Sequence, residues 1–325
     1  MPTSIDYNAL ATSPRLLLEC ELKPLQGDRF QPTGFADLGP ARYTRPDGTE
    51  MLLVESAQSV ANRLEMTIWD EANDDLIPEM RGLPYIVVKD GEKNLTNSIL
   101  EAHRINSEYI QKSGDDSLRS KFIAEIGHSK AAPIDRKRVY AALFKYDTGS
   151  LLHGCFLEEI DGRLRVTRAI SGFVESERIS EVASGGVKNN HVQPSLKRGE
   201  GNVPFSRMEF VADTTKAYFN LDLALLRGYG LGTDATNLLI ALALFKVQRF
   251  LKTGLRLRTA CDLEPTASGL KATRPNNLSI PDEAALLQEC KALIAKCKAA
   301  DLFAGGPTKS SVTEVEWVRP AGGGE

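Results

Sequence analysis

The segment that most constrains how this chain can fold runs from Arg178 to Arg207. It carries four glycines (Gly185, Gly186, Gly199, Gly201) and two prolines (Pro194, Pro204). Five cations (Arg178, Lys188, Lys197, Arg198, Arg207) stand against two glutamates. Such a segment builds no core of its own. Strand-like runs flank it, Arg163 to Val174 before and Phe205 to Ala212 after, so it is expected to be a long excursion between two strands. An insertion of this length without a core is typically functional or disordered. Two readings stay open on residues alone: a solvated loop, or a basic arm that orders on a polyanion, with Lys188, Lys197 and Arg198 facing phosphate.

Charge is distributed to match. The net charge of −3 hides an asymmetry: residues 1–80 hold 6 Lys/Arg against 14 Asp/Glu, and residues 134–260 hold 19 against 13. The later part therefore carries the candidate anion-binding surface, and the acidic early part suits a basic surface on a partner. The five cysteines are scattered and form no CxxC pair, which argues against a disulfide framework or zinc ribbon. No apolar run approaches the ~20 residues of a membrane span, and no signal peptide opens the chain. A cytoplasmic protein without membrane contact is the expectation.

Taken in order, residues 15–22 form a strand candidate ended by Lys23-Pro24. The connection FQPTGFADLG (30–39) places Gln31 and Thr33 as hydrogen-bonding groups at a strand end. The spacing of Leu53, Ala57, Val60 and Leu64 predicts an amphipathic helix over 52–66. Its opposite side, lined by Glu55, Ser59 and Asn62 with Gln58 and Arg63 beside it, is richer in amides and hydroxyls than a merely solvated face. Helices are expected over 97–112, carrying His103 and Arg104, and from Arg136 to Tyr146. The RGYGLG run (227–232), with Arg227, leads into an apolar helix over 235–251. Its glycine spacing does not fit a dinucleotide fingerprint. Alternation over 255–261 predicts a strand with Arg256 and Arg258 on one face. Residues 264–281 hold three prolines and are expected to be loop; 283–298 form a helix and the rest a loose tail.

FQPTGFADLG (30–39), LLVESAQSVANRLE (52–65), SILEAHRINSEYI (98–110), LLHGCF (151–156), SGGVKNN (184–190), GNVPFSRMEF (201–210), RGYGL (227–231) and GLRLRTACDL (254–263) together resemble one family. It is the Cas-seven-type backbone subunit, of the RAMP superfamily, in type I-G (formerly I-U) CRISPR Cascade complexes. The resemblance covers roughly residues 15–263. It implies an α+β fold with an RNA-recognition-motif-like (ferredoxin-like) palm over 1–263. Large insertions interrupt that palm, a helical region over about 67–150 and the basic arm over about 178–207; a C-terminal helix and tail (264–325) follow. It further implies a non-catalytic subunit, without cofactor or metal, that polymerises along crRNA. Its partners are the crRNA, the target DNA strand, further copies of itself and the other effector subunits. The residues expected on RNA are Gln31, Thr33, Ser56, Gln58, Asn62, Arg63, His103, Arg104, Lys188, Lys197, Arg198, Arg227, Arg256 and Arg258. The aromatic strand signature of true RNA-recognition motifs is missing, so stacking on the sheet face is not expected. The alternative from the same superfamily is a metal-dependent ribonuclease using Asp37 or Asp47, but a single loop carboxylate with no second ligand supports it thinly.

Overall fold

The computed structural model describes residues 2–35, 37–112, 117–129, 132–158, 160–189, 202–276 and 278–317. The elements that position the site are β1 (Arg15–Pro24), β2 (Arg42–Thr44), β3 (Glu50–Glu55), α1 (Ala57–Met66), β4 (Ile86–Asp90) and β5 (Lys93–Asn97). After them come α2 (Arg136–Tyr146), α3 (Thr148–His153), β6 (Ile170–Asn189) and β7 (Asn202–Asp222). The chain continues through α4 (Thr233–Thr253), β8 (Arg256–Arg258), β9 (Cys261–Arg274), α5 (Glu283–Ala299) and β10 (Thr313–Glu316). The main sheet is antiparallel throughout, in the order β8-β9-β1-β7-β6-β3-β2.

Alternation in β1 decides which face is covered. Leu16, Leu18, Cys20 and Leu22 are buried while Glu21 and Lys23 are exposed, as period-two geometry requires. Opposite them Leu221, Phe219, Ala217 and Thr215 of β7 share the buried face. Helices α1 and α4 pack there, with Phe250 of α4 edge-on to Phe219 at 6.1 Å. Gly172 of β6 lies directly opposite Phe219, where a Cβ would stand 2.6 Å from the Phe219 ring and 2.8 Å from the Tyr218 carbonyl. Gly172→Ala is accordingly expected to lower the unfolding free energy by about 1–3 kcal/mol, measured by urea unfolding; an unchanged midpoint means that the ring has room to move.

The other sheet face is polar and its charges are largely paired. Arg15 pairs with Asp222, Lys216 with Glu19 at 4.0 Å and Arg45 with Glu177 at 3.0 Å. Phe173 and Tyr218 stack on this face with ring centres 5.1 Å apart, an aromatic pair not anticipated from the sequence.

Several expectations are corrected here. Among its described residues the excursion over 178–207 is not a loop between short strands: β6 runs to Asn189 and β7 starts at Asn202 in one register, from Ile170↔Leu221 to Asn189↔Asn202. β1 and β3 pair with the hairpin only up to Thr215 and Glu177, and beyond the buried Glu209, opposite Val182, the described strands project as a two-stranded arm of roughly 25 Å at ~3.3 Å per residue. Lys188 lies in β6; Lys197 and Arg198 fall outside the described residues. The helix expected from 52 begins at Ala57, because residues 50–55 pair with β2 and β6 as β3. Residues 97–112 are not one helix but turns, a 3₁₀ turn (Arg104–Asn106) and a short helix (Glu108–Gln111). LLHGCF (151–156) begins inside α3 and ends in the short strand Cys155–Phe156.

The boundary expected at 263 falls inside β9. That strand pairs with β1 from Leu263↔Pro24 to Arg274↔Leu17, accommodating Pro265 with a register shift, as prolines in strands require. Beyond it, α5 packs on α4, and β10 lies parallel to β4 in a small sheet ordered β10-β4-β5.

Candidate nucleic-acid interface

The loop after β1 is pinned at both ends of its aromatic half. Phe30 exchanges two backbone hydrogen bonds with Phe210 of β7, both 2.9 Å, and its side chain is fully buried. Gln31 N–H then donates to the Ala260 carbonyl at 2.8 Å and Thr33 N–H to that of Val54 at 3.0 Å. The loop thus crosses from the β8–β9 turn to the end of β3, beside the base of the arm.

Glu55, the last residue of β3, organises what lies beneath. It is 1% exposed and accepts from Ser59 Oγ, from Arg63 Nε at 2.9 Å and from Arg258 Nη2. Arg63 also donates through Nη1 to the Arg256 carbonyl at 3.3 Å and through Nη2 to that of Leu257. Arg258 Nη1 donates to the Gln31 carbonyl at 3.1 Å. Burial pulls both guanidinium groups below the usual arginine range, yet against that range they remain charged.

Along the outer side of α1 runs a second chain of bonds. Arg168 Nη2 donates to Gln58 Oε1 at 2.9 Å, and Gln58 Nε2 donates to Asn62 Oδ1 at 3.2 Å. Ser56 is the N-cap, its oxygen accepting from Ser59 N–H at 3.3 Å, which satisfies a free donor at the helix start. Arg256 is exposed, 3.7 Å from Asp262. Among the described residues the ion pairs of Arg63, Arg256 and Arg258 are with Glu55 and Asp262, and Arg168 is influenced by Glu65, so four cations face three acids at this positive end of the sheet.

Of the residues singled out by sequence, Gln31, Thr33, Ser56, Gln58, Asn62, Arg63, Arg256 and Arg258 come together here. Glu55 was placed on the polar side of the helix without its role as shared acceptor, and Arg168 was missed. A glutamate closing the apolar run Leu52-Leu53-Val54 was the available signal for Glu55, whereas nothing local marks Arg168. Arg256 and Arg258 do not act as a matched pair on one strand face, since Arg258 turns to Glu55 and Arg256 to solvent.

Three candidates stand apart. Arg104, 7% exposed, is bound to both oxygens of Glu65 and donates to the Gly154 carbonyl at 3.0 Å. It faces the interior, which corrects its expected place on RNA. His103 beside it is exposed but belongs to that same turn and not to the Glu55 cluster. Arg227 donates to the carbonyls of Leu10 at 3.1 Å and Ser13 at 2.8 Å, near the start of α4. The Arg104–Glu65 pair belongs to a buried network in which Lys246 Nζ lies 3.1 Å from His153 Nε2. Burial there pushes the Asp147 carboxyl up to about 6 and the Lys246 amine down to about 8, and holds His153 well below its usual range. Glu65 and Lys246 come from α1 and α4, Arg104 from the 3₁₀ turn Arg104–Asn106, and Asp147 and His153 from the two ends of α3, so the charges tie these elements together.

Among the described residues no group of three His, Cys, Asp or Glu side chains is placed to hold a metal ion, and no helix is long and apolar enough to cross a membrane. Asp37 is exposed. Asp47 accepts from Thr49 N–H at 2.9 Å, a turn contact that holds its carboxyl below the usual range.

No curated protein sequence matches the chain. Among solved structures, a chain of a "CRISPR RNA-guided surveillance complex, pre-nicking" is similar at 13% identity and a TM-score of 0.43, over 77% of this chain and 76% of that one. A chain of a second "CRISPR RNA-guided surveillance complex" is similar at 14% identity and a TM-score of 0.36, over 77% and 66%. A family model, described as CRISPR-associated protein GSU0053, matches residues 16–181. Since that match spans more than half of the sequence and includes β1, β3 and α1, the chain belongs to the CRISPR-associated GSU0053 family.

Proposed function

We propose that this protein is a guide-RNA-binding backbone subunit of a type I CRISPR interference complex, of type I-G, which polymerises along crRNA and presents it to the target DNA strand. The observation that carries this reading is the positive end of the sheet, where the Phe30–Thr33 loop, the outer side of α1 and four arginines meet at the base of a projecting arm. Family membership places the chain in CRISPR defence. The order β9-β1-β7-β6, with α1 following the first strand and α4 the third, supports a ferredoxin-like palm. The paired charges on the open sheet face disfavour that face as the RNA track. On this reading the subunit is non-catalytic and cytoplasmic and works beside further copies of itself and other effector subunits.

The test is binding of single-stranded RNA to the purified protein across a salt series. Log affinity should fall linearly with log salt, with slope about −0.7 per contacted phosphate, and with little dependence on sequence. RNA should also co-purify, raising the ratio of absorbance at 260 to 280 nm. Salt-independent affinity overturns the reading. Loss of the RNA on adding Mg²⁺, abolished by Asp37→Ala, would instead support a ribonuclease.

A further inference from the structure

Between the outer side of α1 and the C-terminal end of α4 lies an open groove of about 410 Å³, room for roughly a dozen waters at ~30 Å³ each. Its lining includes Asn62, Arg63, Met66, Thr67 and Thr253, and no carboxylate contributes among the described residues. How these groups are already engaged decides what the groove can take. Every nitrogen of Arg63 donates within the plane of the guanidinium, to Glu55, to the Arg256 carbonyl and to the Leu257 carbonyl. Those three bonds leave two of its five N–H groups unspent, and the side chain is 30% exposed. Held by three acceptors, the guanidinium offers the groove a fixed plane together with those remaining donors.

The remaining walls fit the same occupant. Met66 supplies a polarisable thioether, favourable against aromatic rings. Thr67 and Thr253 donate their hydroxyl hydrogens to the carbonyls of Leu64 at 2.7 Å and Arg249 at 2.8 Å, so neither hydroxyl hydrogen is left for a ligand. Asn62 accepts through Oδ1 from Gln58, which leaves its amino group as a directed donor. A planar face beside a thioether and an amide donor suits a flat heterocycle with a carbonyl on its edge, whereas a phosphate makes no use of the plane or the thioether.

We propose that this groove is a nucleobase pocket, in which one unpaired base of the bound RNA stacks on the Arg63 guanidinium and accepts a hydrogen bond from the Asn62 amide. The proposal rests on the RNA-binding reading above and assigns Arg63 to a base, where sequence alone placed it on RNA without separating base from phosphate. Unpaired bases are commonly recognised by stacking on arginine planes.

The test compares full-length protein binding to a labelled single-stranded RNA and to an RNA of equal length with alternate nucleotides abasic, so that the phosphates are unchanged. Wild type should bind the abasic RNA about tenfold more weakly. Arg63→Lys keeps the charge and removes the plane, and should narrow that gap to about twofold while preserving the salt slope. Asn62→Ala, exposed and outside the Glu55 cluster, should narrow it as well, and guards against a folding defect in the lysine variant. If Arg63→Lys and Asn62→Ala leave the gap at its wild-type size, or wild type shows no gap, the groove is no base pocket and RNA binding itself stands. If wild type binds neither RNA at low salt, the RNA-binding reading fails and takes this proposal with it.

Discussion

Glu55→Ala is expected to lower the unfolding free energy by about 3 kcal/mol, the low end of the ~3–5 kcal/mol range for breaking a buried charge pair from one side. Glu55 is sealed from solvent and holds Ser59, Arg63 and Arg258 at once. Its removal leaves two guanidinium groups side by side without their shared anion. Both arginines are partly exposed, at 30% and 24%, and solvent screening of them sets the expected value at the low end. Glu55→Gln, which keeps the shape and one acceptor oxygen, should lose less. Urea unfolding at neutral pH measures both, with RNA affinity recorded alongside. A change below ~1 kcal/mol for Glu55→Ala means that solvent compensates the arginines, and Glu55 then organises nothing.

The second large effect concerns the arm. Replacing residues 183–208 by a tight turn should leave the thermal midpoint nearly unchanged while abolishing regular assembly along RNA. Among the described residues of the removed stretch Val187, Phe205 and Met208 are exposed, and the buried contacts of the hairpin begin at Glu209 and Phe210. A two-stranded ribbon without a hydrophobic face is marginal by itself, so its retention points to contacts made outside the subunit. Mass measurement of RNA-filled assemblies reads the outcome. Assemblies of normal length from the shortened protein would show that the arm is an ordinary surface hairpin.

Helix α1 was legible because Val60 and Leu64 fall on one stripe and both are fully buried. Its start was misplaced by five residues, since Leu52, Leu53 and Val54 satisfy a helical stripe and a buried strand equally well. Ser56, expected on RNA, is also the punctuation between the two, as the helix N-cap. The arm was misread for a related reason: a hairpin solvated on both faces buries nothing, so its sequence shows no alternation from which to recognise a strand. The extension of β9 through Pro265 was hidden because prolines argue for loop wherever the partner strand is unknown. Of the interface, the arginines and amides were legible as residue types. Their convergence depended on Glu55 and on the Phe30–Phe210 pairing, contacts between segments far apart in sequence. Arg104 illustrates the opposite error, a cation assigned to the outside whose partner Glu65 lies on another element.

The position of β1 in the sheet bears on how the molecule is made. Arg15 pairs with Asp222 and Leu17 with Arg274, so this early strand waits for both neighbours until most of the chain has left the ribosome. Long-range antiparallel pairing of this kind is slow to form and leaves strand edges open meanwhile. The loop from Phe30 to Thr33 is held in place by Phe210 and Ala260 and takes shape only when those late segments arrive. A nascent fragment therefore lacks the finished surface, and if the proposed function holds, competence for RNA comes with completion of the sheet.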